Sequence, residues 1–166
     1  EMCIRVRVET VLRSFVTMFN KHFGPVQEEQ ARKLGFTRHQ VVILASVVGK
    51  ETAVAEERPL IAGVFLNRLR KRIRLQSDPT VIYGLRNFDG NLTRAHLQKD
   101  TPYNTYTRRG LPIGPICNPG AASIQAVLNP TSTSYLYFVA KKDGTHHFSA
   151  TLVEHNAAVL RHQKRR

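Results

Sequence analysis

The chain is poor in cysteine, in acid and in long apolar runs, and each shortage removes a class of protein. Its two cysteines, Cys3 and Cys117, stand far apart in unlike contexts. Neither a CxxC pair nor a disulfide framework can be built from them, and nothing in the pattern supports a long-range bridge. No HxH, HExxH or Cys/His grouping occurs among the seven histidines, which argues against a metal site. GxSxG, P-loop and GxGxxG motifs are missing, and no pattern supports a Ser-His-Asp triad. No apolar run reaches the roughly 18 residues of a membrane span, and no signal-peptide pattern is visible after Glu1. Acid is scarce: 12 Asp plus Glu stand against 25 Lys plus Arg, a formal charge of +13.

What remains is enough for a folded domain. At 166 residues, 42% apolar and 22% charged, the chain suits one domain with a real core and does not read as a disordered basic tail. The charge points to an anionic partner: nucleic acid, a membrane surface, or an acidic polymer such as bacterial cell wall. It says little about fold.

Residues 4–23 read as a basic amphipathic helix, with Val8, Val11, Leu12, Phe15, Met18, Phe19 and Phe23 at helical spacing. Gly24-Pro25 ends it, and a second helical stretch over 26–34 closes at Gly35. Thr37 and Gln40 form a capping box that opens a helix from Val41 to about Ala55. Pro59 suits the first turn of a helix over Leu60–Lys71. The stretch 72–118 is dense in Pro, Gly, Asn and Tyr and predicts long ordered loops with short helices, a feature usually tied to function. Asn118-Pro119 is expected to cap a helix running to Leu128. Residues 135–140 and 145–149 read as a β-hairpin turning at Lys142-Asp143-Gly144, and a capping box at Thr151 and Glu154 opens a C-terminal helix. The fold class is therefore α+β: a mainly helical single domain with a small antiparallel hairpin.

With so few acids, each can be questioned. Most sit in amphipathic, turn or capping positions; Glu56 and Glu57 precede the Pro59 helix, whose positive end they suit. Glu51 differs. Its helix carries an apolar stripe at Val41, Leu44, Ala45 and Val48, and position 51 falls on the same face. A carboxyl there is turned inward, where lost hydration raises its pKa, the setting of a general acid. A buried salt bridge to an arginine of the next helix would satisfy the same position. Asp78 precedes Pro79 and reads as a helix N-cap or, with Gln76, as part of a site. Tyr103-Asn104-Thr105-Tyr106 offers flat rings, hydroxyls and an amide that suit sugars, or equally a well-bonded loop. The run Arg68, Arg70, Lys71, Arg72, Arg74 is a phosphate-binding stripe or the solvated end of a helix.

Several ordered segments go further. Leu44-Ala45-Ser46-Val47-Val48-Gly49-Lys50-Glu51-Thr52 resembles the L-A-S-[IV]-[IV]-E-K-E-T segment of the MltG/YceG family, the endolytic murein transglycosylases. Phe65–Leu69, Leu75–Gly84, Tyr103–Tyr106, Gly110–Pro112, Asn118–Gly120, Tyr135–Val139, His147-Phe148 and His155-Asn156 extend the resemblance over about residues 38–160. It implies an enzyme that cuts the MurNAc-GlcNAc bond of nascent peptidoglycan and leaves a 1,6-anhydro end, with no cofactor and no nucleic-acid partner. It implies Glu51 as the catalytic acid. It also implies Gln76, Asp78, Tyr83, Tyr103, Asn104, Thr105, Tyr106 and Asn118 as lining of a glycan groove formed by the long loops.

By the same resemblance, 36–166 is the catalytic domain and 1–35 a helical segment leading into it. The expected setting is the periplasmic face of the bacterial inner membrane, with a tether outside this chain and cell-wall synthases as partners. Two residues depart from the pattern: Gly49 replaces the first acid of E-K-E-T, and Ile113 stands where a second proline is common. The Gly49 departure leaves open a wall-binding module with impaired catalysis. The charge alone leaves open a nucleic-acid binder, and Asp78 leaves open a hydrolase with a second carboxylate.

Overall fold

The capping box at Thr37 sets the central helix in place. In the computed structural model, which describes residues 7–163, the Thr37 hydroxyl accepts from the Gln40 N–H at 3.2 Å and Gln40 Oε1 accepts from the Thr37 N–H at 2.9 Å. Helix α3, Arg38–Glu51, follows. Before it lie α1, Val8–His22, and α2, Pro25–Leu34, the latter closed by Gly35 at φ 78°, the left-handed conformation that glycine adopts without penalty. The amphipathic start expected from residue 4, Cys3 and the basic C-terminal residues 164–166 lie wholly or partly outside the described residues.

A single 3-10 turn, Ala55–Glu57, leads into α4, Arg58–Arg70. The loop-rich stretch carries α5, Asp78–Tyr83, and α6, Arg94–Gln98. Helix α7, Ala121–Leu128, the strands β1, Tyr137–Ala140, and β2, His146–Ser149, and helix α8, Leu152–His162, complete the chain. The strands pair antiparallel, with Tyr137 opposite Ser149 and Ala140 opposite His146. The architecture is α+β and mainly helical.

The core lies where α3, α4 and α7 meet. Val41, Leu44, Val48, Ile61, Phe65 and Val127 are fully enclosed, and Phe23 and Ala31 join them from the N-terminal helices. Each such side chain contributes about 1.5–3 kcal/mol by leaving water. Gly49 permits a close approach of α3 to α7: a Cβ there would stand 2.9 Å from the buried Ser123 Oγ.

Four expectations need correction. Helix α3 stops at Glu51, not Ala55, because Thr52 turns to extended backbone (φ −140°, ψ 139°) and its hydroxyl accepts from the Val54 N–H at 3.0 Å. Asn118 does not cap α7; Gly120 holds that position, and its carbonyl accepts from Ser123 and Ile124. Asp78 is the first residue of α5, with Ser77 at the cap position. The ladder of the hairpin begins at Tyr137, two residues later than the apolar run, because Tyr135 and the backbone before it are bound to Asn67 of α4.

Candidate active site

The early end of α3 is what exposes Glu51. As the last helical residue it sits at the mouth of a groove of about 410 Å³, with the hairpin and α8 as one wall and the start of α5 and Tyr106 as the other. The groove mixes polar and apolar surface, with Glu51, Gln76, Asp78 and Tyr106 facing Tyr137 and His155.

Two residues of α4 build the hairpin wall. Asn67 Nδ2 donates to the Thr133 and Tyr135 carbonyls at 2.7 and 3.1 Å. Arg68 Nε donates to the Leu136 carbonyl at 2.6 Å and Nη1 to the Leu75 carbonyl at 2.7 Å, so one guanidinium ties both walls together. Its carbon Cζ lies 5.1 Å from the Tyr137 ring centre, and Tyr137 stacks on His155 at 5.2 Å. Arg68 is 7% exposed, whereas its basic neighbours Arg70, Lys71, Arg72 and Arg74 are in solvent. The basic run is thus a solvated helix end with one structural arginine inside it.

Glu51 is pushed up to about 7. Burial is the main cause, and the nearby Asp78 adds to it; the Ser77 hydroxyl, His146 and Arg68 oppose it. No Arg or Lys pairs with Glu51 among the described ion pairs, so the salt-bridge reading of this position is not what the structure shows. Tyr106 donates its hydroxyl to Asp78 Oδ1 at 2.5 Å. Burial and that bond raise the phenol well above its usual range. Glu57 does not serve the end of α4: it accepts from the His146 N–H at 2.8 Å and faces His146 Nδ1 at 2.6 Å. Burial works to raise Glu57, but the His146 bonds outweigh it and hold the carboxyl below its usual value.

Of the residues singled out from sequence, Glu51, Gln76, Asp78 and Tyr106 meet in the groove. Asn104 and Thr105 are buried beneath it. The Asn104 amide donates to the Leu97 and Lys99 carbonyls at 3.1 and 2.7 Å, and its oxygen accepts from the Tyr106 N–H at 2.7 Å, fixing the loop that carries Tyr106. Tyr83 and Tyr103 pack edge to face at 4.7 Å outside the cavity, toward the far end of α5. Asn118 is remote, in a cleft between α1 and α7 with Phe15 and Phe19.

Arg68 and His146 line the groove and Ser77 is buried against Glu51, and none of the three is singled out from sequence as a groove residue. Arg68 had a signal: it continues the stripe Ile61, Val64, Phe65 at helical spacing, by the same logic that marks Glu51. Ser77 and His146 had none of their own; His146 meets Glu57 across 89 positions. Among the described residues, no three His, Cys, Asp or Glu side chains cluster as a metal ion requires.

The fold and site together define a helical domain with a groove that holds a carboxyl of raised pKa, a group suited to giving and taking a proton. The YceG-like family model matches residues 5–161, and the chain belongs to that family. It is 38% identical over 151 residues to the endolytic murein transglycosylase of Bacillus subtilis, covering 91% of this chain and 42% of that protein. It is 31% identical over 161 residues to the endolytic murein transglycosylase of Streptococcus pneumoniae (strain D39), covering 93% of this chain and 29% of that protein. The crystal structure of a YceG-like protein from Listeria monocytogenes superposes with a TM-score of 0.81 at 39% identity, over 92% of this chain and 49% of that one. The chain thus spans less than half the length of the curated relatives it matches.

Proposed function

We propose that this chain is the catalytic region of an endolytic lytic transglycosylase that cleaves the MurNAc-GlcNAc β-1,4 bond of nascent peptidoglycan. The observation that carries the proposal is Glu51: a carboxyl with a pKa near 7, at the end of a core helix, opening into a groove. The names of the relatives support the same substrate.

The chemistry needs one such group. Protonated Glu51 gives its proton to the glycosidic oxygen as the bond from C1 to that oxygen breaks. The muramyl O6 then bonds to C1, and its proton passes to the glutamate. Glu51 ends as it began, no water is consumed, and the product carries a 1,6-anhydro ring. A pKa near neutrality suits a group that must both give and regain a proton. Gln76, Asp78 and Tyr106 line the groove and would contact the glycan.

Gly49 does not weaken this reading. It packs on Ser123 of α7, and the groups that tune Glu51 are Ser77, Asp78, His146 and Arg68. One observation favours a second reading: Asp78 shares the groove and lies near enough to raise Glu51, as a second carboxylate of a hydrolase would. Digestion of purified peptidoglycan followed by mass spectrometry separates the two. Anhydro ends, one water lighter than reducing ends, support the transglycosylase; reducing ends alone support hydrolysis. Glu51→Gln is expected to abolish cleavage with the fold retained, and a variant that still cuts would remove Glu51 from the reaction.

The proposal keeps 36–166 as the catalytic domain and 1–35 as a segment leading into it, of which Phe23 and Ala31 pack on the core. It places the groove on the extracytoplasmic side of the bacterial inner membrane, beside the synthases that make its substrate. No helix of the described residues is long and apolar enough to cross a membrane.

A further inference from the structure

Glu51 has two carboxyl oxygens, and the reaction above needs one of them free toward the glycosidic oxygen. The other is taken: the Ser77 hydroxyl donates to Glu51 Oε1. Ser77 is 2% exposed and is gripped along its backbone. Its N–H donates to Thr105 Oγ1 at 3.0 Å, its carbonyl accepts from Thr80 Oγ1 at 2.6 Å, and the two threonine hydroxyls lie 2.8 Å apart. The residue before it, Gln76, holds φ 51°, left-handed backbone in a non-glycine, and its N–H donates to the Thr105 carbonyl at 3.2 Å. Strain of this kind persists only where surrounding bonds enforce it, and it gathers at functional sites.

The position makes the point sharper. Ser77 occupies the cap position of α5, where a serine ordinarily bonds the helix's own N–H groups, yet its side chain makes no such bond. The hydroxyl is spent on Glu51 instead. Helix stability therefore does not explain why it points where it does.

We propose that Ser77 is a positioning residue for the Glu51 acid, pinning one carboxyl oxygen so that the other faces the bond to be cut. The inference rests on the proposed function for its catalytic consequence, and on geometry alone for the hold on Glu51. The charged and titratable groups around Glu51 are Asp78 of α5, Arg68 of α4, His146 of β2 and Tyr106, whose phenol Glu51 helps to raise. Asp78 is itself bonded by Tyr106, and His146 by Glu57. Burial and Asp78 favour the protonated acid; Ser77, His146 and Arg68 favour the carboxylate. Removing the serine hydroxyl leaves burial and Asp78 less opposed, so the Glu51 titration moves upward.

The test titrates Glu51 by NMR in the 166-residue chain carrying carbon-13 in glutamate side chains, with Glu51→Gln to assign the signal. Ser77→Ala is expected to raise the midpoint by about one pH unit, the scale of one hydrogen bond to a charged group. The alkaline limb of the peptidoglycan-cleavage profile is expected to move with it, with kcat down roughly tenfold or more through lost alignment. Thr105→Val keeps the Ser77 hydroxyl but removes the Thr105 oxygen that holds the Ser77 N–H, and gives a smaller shift in the same direction; it also reads the effect if Ser77→Ala fails to fold. Midpoints and profiles unchanged from the parent would overturn the inference. If the parent chain forms no anhydro product, the functional reading fails, while the NMR midpoints still decide whether Ser77 holds Glu51.

Discussion

An acid held near pH 7 inside a fold is a load on that fold whenever it is charged, and Glu51→Gln should reveal it. The ordinary value for this group is 4.5, and burial pushes it up to about 7. A carboxyl whose folded value lies above its unfolded one favours the folded state while protonated. That contribution is complete below pH 4.5 and is lost as pH rises through about 7. Each pH unit of difference corresponds to about 1.4 kcal/mol, so the whole effect is on the order of 3 kcal/mol, an upper bound because the groove admits water. Glutamine has the same shape and never ionises. Melting curves of the parent and Glu51→Gln across the range from about pH 4.5 to about pH 8.5 are the assay. At the acid end the two should differ by a constant set by local fit. Toward the alkaline end the glutamine variant should gain on the parent by up to roughly 6–12 °C, at about 2–4 °C per kcal/mol for a chain of this size. The variant should thus gain stability on the parent as pH rises while being inactive. A difference in melting temperature that stays flat across the range would show that Glu51 titrates like an exposed carboxyl, and would remove the physical basis for its role as the acid.

Two further outcomes follow from the same geometry. Glu57 lies below its usual value because of His146, so its stabilisation is present above pH 4.5 and is lost as pH falls through the folded value; Glu57→Gln should cost about 1–3 kcal/mol at neutral pH, and its urea midpoint should fall less than the parent's on acidification. Gly49→Ala drives a Cβ to 2.9 Å from Ser123 Oγ; it should stabilise by about 0.5–1 kcal/mol in a Ser123→Ala background through helix propensity and by less, or not at all, in the parent, with peptidoglycan cleavage kept in both, as a double-mutant cycle of denaturation and activity would show.

Much of this site could be read in one dimension because part of it is helical. Period 3.6 places Glu51 with Leu44 and Val48, and an acid on an apolar stripe is conspicuous in a chain with 12 acids. The same period carries Arg68, which was hidden instead by the basic residues that follow it. Loop residues obey no period. Tyr103-Asn104-Thr105-Tyr106 reads in sequence equally as a sugar-binding cluster or a well-bonded loop, and the structure divides it: Tyr106 faces the groove, Asn104 and Thr105 brace it from below, and Tyr103 packs on Tyr83 outside it. That division depends on which side chains meet backbone groups from distant segments. Asn118, equally polar in sequence, belongs to a different cleft altogether.

The sequence by itself determined the helices with capping boxes, the hairpin turn, the family and the one carboxyl set on a core face, since all of these are local patterns of spacing and residue type. It also supplied the +13, without saying where any of it lies. Only the tertiary structure decided that α3 ends at Glu51, that Arg68 is buried between two walls, and that a serine at a helix cap spends its hydroxyl on the acid. Those outcomes rest on hydrogen bonds and desolvation between segments up to 68 residues apart, and such terms exist only once the chain has closed on itself.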